Sequence, residues 1–312
     1  KKKNQILILN NNILIVGGTG FIGYHLAKKC LAKGWQVTSI SLNPPKKIRY
    51  LPKVKYILCD ITKKKFLKRN IPKSFDYVVN LGGYVDHSNK KKTLRSHYEG
   101  CKNLTEIFLK KKPLSFIQIG SSLEYGNSKS PQKENMKCNL EPIKSIYGKA
   151  KLLSSIHVIN LFKKKKFPST VLRLYLAYGP KQDVNRFLPI IIKGCIKNKK
   201  FPCSEGVQLR DFTHVDDVVD AILKSLTNKN ARGQIINIGS GKPRKIRSVI
   251  EDVKKISKGG YPQYGTFKLR KSEILKLYPN IKKARNKINW KPKISFEKGL
   301  KSTIKYYNEQ AN

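Results

Sequence analysis

The amino-acid sequence predicts an α/β fold, in which a doubly wound parallel sheet is accompanied by a smaller carboxy-terminal lobe. Two observations predict it. Short apolar segments rich in β-branched residues alternate with longer helix-forming segments, which is typical of parallel strands covered by helices on both faces. The first apolar segment, residues 13–16, is followed by a glycine-rich turn and by good helix formers from Tyr24 onward. The chain is therefore expected to open with a strand, a tight turn and a helix.

Four glycines, at positions 17, 18, 20 and 23, occupy that turn. They permit tight turning, close approach of the backbone to a phosphate, and close packing of the helix on the strand. A helix that begins here directs its N–H groups and its positive end outward, which suits a pyrophosphate. The turn therefore predicts a Rossmann-type dinucleotide site, although an ordinary tight turn could use the same glycines. The residues expected at the dinucleotide here are Gly17, Gly20, Phe21 and Ile22.

The remaining elements follow in the same alternation. Further strands are predicted at 36–42, 56–59, 77–81, 116–120, 170–175 and 235–239. Helices are predicted over about 94–109 and over 146–162. Beyond Lys242 the chain is punctuated by Pro and Gly, which indicates a smaller second unit. We expect a dinucleotide-binding domain formed by 1–175 plus 211–242, and a substrate-binding lobe formed by 176–210 plus 243–312.

The charge is unusual for a chain of otherwise globular composition, with 66 Lys and Arg against 19 Asp and Glu. A nucleic-acid partner is one interpretation. The lysine runs are dispersed, however, and no RNA-binding aromatic motif accompanies them. A lysine-rich composition is therefore favoured over nucleic-acid binding, and the positive field would still help to capture an anionic substrate.

The six cysteines show no CxxC pair and no metal-like spacing. Scattered single cysteines predict reduced thiols, a cytoplasmic protein and no metal site. No apolar run approaches the roughly 18 residues that span a bilayer, so no membrane association is expected.

The second strand lacks the acidic residue that usually holds the adenine ribose in dinucleotide-binding folds. No acidic residue precedes Asp60. The strand ends instead in hydroxyl and amide side chains, which are followed by cations: Ser39, Ser41, Asn43, Lys46, Lys47 and Arg49. Hydroxyls and cations can hold a 2′-phosphate, which a carboxylate would repel, so the sequence favours NADP. The alternative is that Asn43 holds the ribose of NAD.

Tyr147 and Lys151 are four residues apart and would share one face of a helix. A nearby ammonium favours the phenolate, so we expect a lowered pKa for Tyr147, as proton transfer requires. Ser121 lies at the predicted end of the fifth strand, where an open α/β sheet binds its ligands. A serine hydroxyl there can hydrogen-bond a substrate carbonyl or alcohol beside the tyrosine.

With these motifs in this order, the sequence resembles the extended short-chain dehydrogenases/reductases, in particular the NAD(P)-dependent nucleotide-sugar epimerase/dehydratase group. The resemblance runs from Val16 to about Tyr307. Further segments that carry it are Leu81-Gly-Gly83, Arg173-Leu-Tyr-Leu-Ala-Tyr-Gly-Pro180, Arg210-Asp-Phe-Thr-His-Val-Asp-Asp217, Asn237-Ile-Gly-Ser-Gly241 and Asn289-Trp-Lys-Pro292.

The resemblance implies roles for individual residues. Tyr147 would be the acid/base, with Lys151 as its partner and Ser121, with Ser122 beside it, as the catalytic hydroxyl. The implied cofactor contacts beyond the glycine turn and the second strand are Asp60, Ile61, Leu81, Gly82, Gly83, Tyr147, Lys151 and Tyr175. The implied substrate contacts are Ser121, Tyr147, Leu176, Arg186, Arg210 and Arg270, of which Arg210 and Arg270 would bind the diphosphate.

Two departures from the family pattern bear on the reaction. The Asp-Glu pair that family dehydratases carry after the catalytic residue is replaced by Ser122 and Leu123, so sugar dehydration is not expected. His97 stands where the family has an asparagine. It could act as a second acid/base, but a packed helix histidine is favoured.

The resemblance implies hydride transfer at C4 of a nucleotide-diphosphate sugar. The main expectation is a 4-keto reductase, since the second strand lacks its acid. The alternative is a 4-epimerase with tightly bound NAD. A further alternative is a non-catalytic RNA-binding or assembly protein on the same fold. Resemblance also implies a homodimer formed through the helices near 94–110 and 146–162.

Overall fold

The computed structural model describes residues 11–71, 74–84, 88–269 and 273–310. Within these ranges the strands are β1 (Asn12–Val16), β2 (Gln36–Ser41), β3 (Val54–Leu58), β4 (Tyr77–Asn80), β5 (Ser115–Ser121), β6 (Ser169–Leu174), β7 (Leu176–Tyr178), β8 (Lys200–Pro202), β9 (Leu209–Arg210), β10 (Phe212–His214), β11 (Ile235–Ile238), β12 (Arg244–Lys245), β13 (Tyr261–Gln263) and β14 (Lys276–Leu277). The α-helices are α1 (Phe21–Ala32), α2 (Lys64–Asn70), α3 (Lys90–Leu94), α4 (Gly100–Lys110), α5 (Ile146–Lys165), α6 (Phe187–Ile196), α7 (Val215–Thr227), α8 (Ile246–Ser257), α9 (Lys282–Ile288) and α10 (Phe296–Glu309).

Seven strands form one parallel sheet, which confirms the predicted α/β fold. Their order is β3-β2-β1-β4-β5-β6-β11, so the chain order reverses between β1 and β4. Sheets of this kind bind ligands outside the carboxyl ends of the strands at such a switch point. The register brings those ends together, because Val16 pairs with Ile40 on one side and with Asn80 on the other.

The side chains of β1 divide between two apolar clusters, one on each face of the sheet. Ile13 and Ile15 belong to one cluster, and Leu14 and Val16 belong to the other. All four are at most 1% exposed. Full burial of such a side chain stabilises the fold by about 1.5–3 kcal/mol. The apolar run at 13–16 is explained by this burial on both faces.

A third apolar cluster lies outside the sheet, between α6, α8 and α10. Its centre includes Ile192, Val249 and Leu300, all fully buried. This cluster supports the predicted smaller lobe, whose boundaries stay a prediction. The carboxy-terminal part of the chain also returns to the sheet. Trp290 is 1% exposed within the cluster that contains Ile13, and its indole Nε1 donates to the Asp217 carbonyl oxygen at 3.0 Å.

The predicted helix over 94–109 is part of a longer segment made of three pieces. The helix α3 continues into a π-helical turn, Arg95–Glu99, which is followed by α4. Such turns are rare and are often found at functional sites. Here the turn contains His97, which is 5% exposed. The second predicted helix, α5, runs three residues beyond the expected end at 162.

Within the described residues, neither the helices nor the side-chain clusters provide a membrane span or a metal site. None of the helices there is long and apolar enough to cross a bilayer. The same ranges contain no group of three or more His, Cys, Asp or Glu side chains that could hold a metal ion. All six cysteines are free thiols.

Candidate active site

The glycine turn has the close contacts that its sequence predicts. Gly17 has a φ of +82°, a conformation that L side chains rarely adopt. A Cβ on Gly23 would lie 2.3 Å from the Gly17 carbonyl oxygen, and one on Gly18 would lie 2.4 Å from the Ser39 hydroxyl. The helix α1 therefore begins directly against β1. Gly20 precedes it without a side-chain cap, and its first turn has no acidic residue. These features fit the pyrophosphate of a dinucleotide.

The end of β2 presents hydroxyl groups to the glycine turn. Ser41 accepts a hydrogen bond from the backbone N–H of Thr19 at 3.3 Å. Ser39 is 1% exposed, whereas Asn43 is exposed. No carboxylate stands on the strand itself. Two of the residues predicted to hold the ribose are thus placed: Ser41 contacts the glycine turn, and Asn43, two residues later, is exposed to solvent.

Two of the cations predicted to hold a 2′-phosphate are bound elsewhere. Arg49 is 3% exposed and donates two hydrogen bonds to the Lys181 carbonyl oxygen, at 3.0 and 2.6 Å. Its guanidinium also lies 3.1 Å from the Asp183 carboxylate. Lys46 donates to the same carboxylate at 2.7 Å. The charge argument for NADP rests on cations that could hold a 2′-phosphate, and two of these cations have an acidic partner in the structure.

Further predicted cofactor contacts, Asp60 and Ile61 after β3 and Leu81 to Gly83 after β4, lie at the ends of these two strands. The Asp60 carboxylate accepts the Thr62 backbone N–H at 2.8 Å. Ile61 packs so closely on the loop after β4 that a Cβ on Gly82 would lie 3.3 Å from its Cδ1. Leu81 donates its N–H to the Val16 carbonyl oxygen at 2.9 Å. These residues therefore line the carboxyl edge of the sheet.

Ser121, Tyr147 and Lys151 come together at that edge. Ser121 is the last residue of β5, and its hydroxyl lies near enough to the Tyr147 phenol to lower the pKa of that phenol. Tyr147 stands in the first turn of α5, which Ser145 caps by accepting the Gly148 N–H at 3.3 Å. The Lys151 ammonium lies 5.7 Å from the centre of the Tyr147 ring. The two hydroxyls and the amine thus lie close together at the carboxyl edge of the sheet.

The prediction of a lowered pKa for Tyr147 is wrong in this structure. Desolvation raises the pKa of Tyr147 to about 12, although the Ser121 hydrogen bond and the charge of Arg186 act in the opposite direction. The Lys151 ammonium donates to the Ile119 carbonyl oxygen at 2.8 Å. Desolvation also lowers the pKa of Lys151 to about 8. Sequence spacing predicted the pair but not its burial.

A buried ion pair supports Ser121 from behind. One oxygen of the Glu124 carboxylate accepts the Ser121 backbone N–H, and the other accepts Arg173 Nε, both at 2.8 Å. Glu124 is 0% and Arg173 is 2% exposed. The Arg173 guanidinium lies 4.4 Å above the Tyr125 ring centre. Sequence reasoning assigned no role to Glu124, but the Ser-x-x-Glu spacing at 121–124 is that of a capping box and could have indicated it.

His97 forms a wall of the site. Its ring meets the Tyr147 ring edge to face, with 5.0 Å between the ring centres. A Cβ on Gly83 would lie 1.8 Å from the imidazole. The ring Nε2 lies 3.2 Å from the Tyr84 carbonyl oxygen. His97 is therefore packed inside a helix, as expected, and it also contacts the predicted acid/base.

The predicted substrate residues are distributed around this centre. Arg186 precedes α6 and lies near enough to Tyr147 to affect its pKa. Leu176 begins β7 and is 41% exposed. Arg210 donates to the Leu209 carbonyl oxygen at 2.9 Å and forms an ion pair with Glu273, while Arg270 lies outside the described residues.

Two further predicted residues are held within the protein. The Tyr175 hydroxyl donates to the Gln132 side chain at 2.7 Å. Tyr175 is 7% exposed and Ser122 is 6% exposed. Of the predicted catalytic residues, Ser121, Tyr147 and Lys151 are thus in mutual reach. Ser122 lies in the buried turn that follows β5.

Comparison with known proteins agrees with this arrangement. Residues 13–239 match the family described as the NAD dependent epimerase/dehydratase family. The chain is 25% identical to a UDP-N-acetyl-alpha-D-glucosaminuronate decarboxylase of Bacillus cytotoxicus, over 97% of this chain and 100% of that protein. It is 28% identical to a putative UDP-glucose 4-epimerase of Methanocaldococcus jannaschii, over 94% and 97% of the two chains. The structure of a UDP-glucuronic acid 4-epimerase from Bacillus cereus, in complex with UDP-glucuronic acid and NAD, superposes with a TM-score of 0.86 at 25% identity, covering 96% of this chain and 100% of the other. Because the family model matches most of its length and its fold agrees, this chain belongs to the NAD-dependent epimerase/dehydratase family of enzymes.

Proposed function

We propose that this protein is an NAD-dependent 4-epimerase of a nucleotide-diphosphate sugar, with Tyr147 as its acid/base. The observation that carries the proposal is the placement of Ser121 at the end of β5 beside Tyr147 in the first turn of α5, with the Lys151 ammonium 5.7 Å from the Tyr147 ring centre. The names of the relatives support an epimerase over the 4-keto reductase that the sequence favoured. The pairing of Lys46 and Arg49 with Asp183 weakens the part of the argument for NADP that rests on these two cations.

The chain's own residues account for the proton transfer. When bound, NAD supplies the hydride acceptor and donor for the sugar carbon. Tyr147 takes the proton of the C4 hydroxyl as that carbon is oxidised and returns it when the alcohol re-forms. Ser121 donates a hydrogen bond that lowers the pKa of the phenol and so favours its anionic form. Lys151 uses one of its three N–H donors on Ile119 and keeps the others for the cofactor ribose.

Cofactor stoichiometry separates the epimerase from the reductase. The protein would be incubated with UDP-glucose or UDP-glucuronic acid, and the products separated by anion-exchange chromatography and identified by NMR. An epimerase forms the C4 epimer with no net change in absorbance at 340 nm, since the cofactor is regenerated. A 4-keto reductase would run in reverse on these 4-hydroxy sugars and form one NAD(P)H for each keto sugar released. A stoichiometric rise in absorbance at 340 nm would therefore overturn the proposal. Loss of carbon dioxide from UDP-glucuronic acid would instead indicate a decarboxylase, as in one relative.

Removal of the phenol oxygen tests the role of Tyr147. Tyr147→Phe is expected to lower the turnover number by at least a hundredfold, since general acid–base catalysis contributes about 10²–10⁴-fold. Binding of NAD should change little. Tyr98→Phe is the matched control, because Tyr98 lies in the π-helical turn with its ring packed on His157. Near-normal turnover of Tyr147→Phe would contradict the assignment.

We further propose a cytoplasmic homodimer that forms through α4 and α5. Ile156 on the outer face of α5 is 43% exposed. Lysines at the ends of both helices oppose association through charge repulsion, which salt would screen. Analytical ultracentrifugation at low and high salt should therefore show a dimer that strengthens with salt. A monomer under both conditions would exclude it. The free thiols support the cytoplasmic location.

A further inference from the structure

The carboxylate of Asp183 pairs with two cations of the loop that follows β2, Lys46 and Arg49. Asp183 lies in the segment between β7 and α6, and its Oδ1 is 2.7 Å from Lys46 Nζ and 3.1 Å from Arg49 Nη2. The hydrogen bond from Lys46 joins residues that are 137 positions apart in the chain. Partial burial would raise the pKa of Asp183, but hydrogen bonds and charges from both cations lower it below its ordinary value.

The neighbouring backbone holds this carboxylate in place. Lys181 has a φ of +64°, and its carbonyl oxygen accepts both hydrogen bonds from Arg49. Its ammonium donates to the Tyr24 hydroxyl at 2.9 Å and to the Ile48 carbonyl oxygen at 2.6 Å. The segment is therefore fixed to α1 and to the loop after β2 through contacts that do not involve Asp183. Loss of the Asp183 charge would leave these contacts in place.

The loop in question begins at the predicted ribose site. Ser41, which ends β2, binds the glycine turn through Thr19, and Lys46 is five residues further along. Folds of this kind distinguish the two cofactors here, because a 2′-phosphate needs a cation where a 2′-hydroxyl does not. Lys46 is 64% exposed, whereas Arg49 is 3% exposed, so Lys46 is the cation that a ligand can reach from solvent. A free Lys46 would be available to a phosphate, whereas a paired one is much less so.

We propose that Asp183 is a specificity-determining residue that makes the protein select NAD over NADP by pairing with Lys46 and Arg49. This inference rests on the proposed cofactor site. It assigns cofactor choice to a residue distant in sequence from β2, where no acidic side chain is present. The carboxylate acts in two ways: it occupies the cations, and it adds a negative charge that repels a 2′-phosphate.

Calorimetric titration of NAD and NADP into the purified protein tests this inference. Wild-type protein should bind NAD more tightly. Asp183→Asn should strengthen NADP binding by roughly five- to tenfold, as expected for one charge-assisted contact in partly exposed surroundings, and leave NAD binding within twofold. Asp183→Thr, a second uncharged replacement, should act in the same direction. The gain should shrink in high salt.

A second substitution identifies the cation involved. Asp183→Asn combined with Lys46→Ala should lose most of the gain in NADP affinity. Asp220→Asn is the matched control, since Asp220 and its partner Lys293 have nearly the same exposures, 32% and 65%, as Asp183 and Lys46, 29% and 64%. The control should leave the ratio of the two dissociation constants unchanged.

The outcomes distinguish a failure of this inference from a failure of the proposed function. If wild-type protein binds neither dinucleotide, the proposed cofactor site is wrong, and this inference is wrong with it. If both bind and Asp183→Asn lowers the melting temperature without changing the ratio of dissociation constants, Asp183 is only a structural clamp. That result overturns the inference and leaves the proposed function standing.

Discussion

Replacement of Lys151 by methionine is expected to stabilise the protein at neutral pH while removing catalysis. Lys151 is 2% exposed and its ammonium makes one described hydrogen bond, to Ile119. Burial of a charged group with so few partners is unfavourable. Methionine has a similar unbranched shape and fills the same space without the charge. The residue proposed to bind the cofactor ribose thus lowers the stability of the fold.

The magnitude follows from the pKa of Lys151, which is lowered from 10.5 to about 8. A shift of that size corresponds to roughly 3 kcal/mol. Below about pH 8 the amine is charged in both folded and unfolded protein, so the full penalty applies. Between about 8 and 10.5 the unfolded chain binds the proton more tightly, and stability rises with pH as the penalty disappears. The lost hydrogen bond offsets about 1 kcal/mol, because the Ile119 carbonyl oxygen keeps a bond from Gln118 at 3.1 Å.

The expected difference between variant and wild type therefore changes sign with pH. Lys151→Met should be about 2 kcal/mol more stable at pH 7 and about 1 kcal/mol less stable near pH 10.5. Urea denaturation followed by circular dichroism at several pH values measures it, and the other titrating groups cancel in the comparison. Lys149→Met, on the same helix but partly exposed, is the control. A Lys151→Met variant that is less stable than wild type at pH 7, or a difference that does not vary with pH, would refute the reasoning.

Three further substitutions test the surroundings of the site. Gly83→Ala should destabilise the protein by more than about 2 kcal/mol, because Gly83 has a φ of +147° and an added Cβ would overlap His97. Urea denaturation measures the change, and wild-type stability would contradict this packing. Arg173→Met should lower the free energy of unfolding by about 3–5 kcal/mol, because it leaves the Glu124 carboxylate buried and unpaired. Adding Glu124→Gln should restore part of that loss. A double variant whose loss of stability equals the sum of the two single losses would argue against the pairing. Asp217→Ala should lower the free energy of unfolding by about 2–4 kcal/mol, since the Asp217 carboxylate accepts two backbone N–H groups at 2.9 and 3.0 Å. A melting temperature within 1 °C of wild type, as expected for a surface substitution, would exclude that role.

The features that could be predicted from the sequence are those set by local pattern and by the rules of parallel sheets. The four-residue apolar run specifies β1, because few other conformations bury all four side chains. The glycines that follow specify the turn, because few other residues accommodate its close contacts. Ser121 and Tyr147 could be placed together since a strand end and the start of the next helix meet at the same edge. Lys151 follows from one helical turn.

The features that could not be predicted depend on partners far along the chain or on burial. Nothing in the sequence around Lys46 indicates Asp183, which lies 137 residues away. The pKa of Tyr147 depends on how much water the folded protein excludes, a quantity that spacing does not report. The π-helical turn around His97 has no composition signal that we can identify.

The position of Trp290 has a consequence for synthesis on the ribosome. The amino-terminal strands emerge first, yet the edge of β6 is completed only by β11, and a tryptophan some fifty residues later fills the same apolar layer. For much of translation the nascent chain therefore exposes an open strand edge and an incomplete interior, both of which promote aggregation. Chains that stop before residue 290 are expected to accumulate as insoluble protein, so holdase chaperones should engage this chain for most of its synthesis.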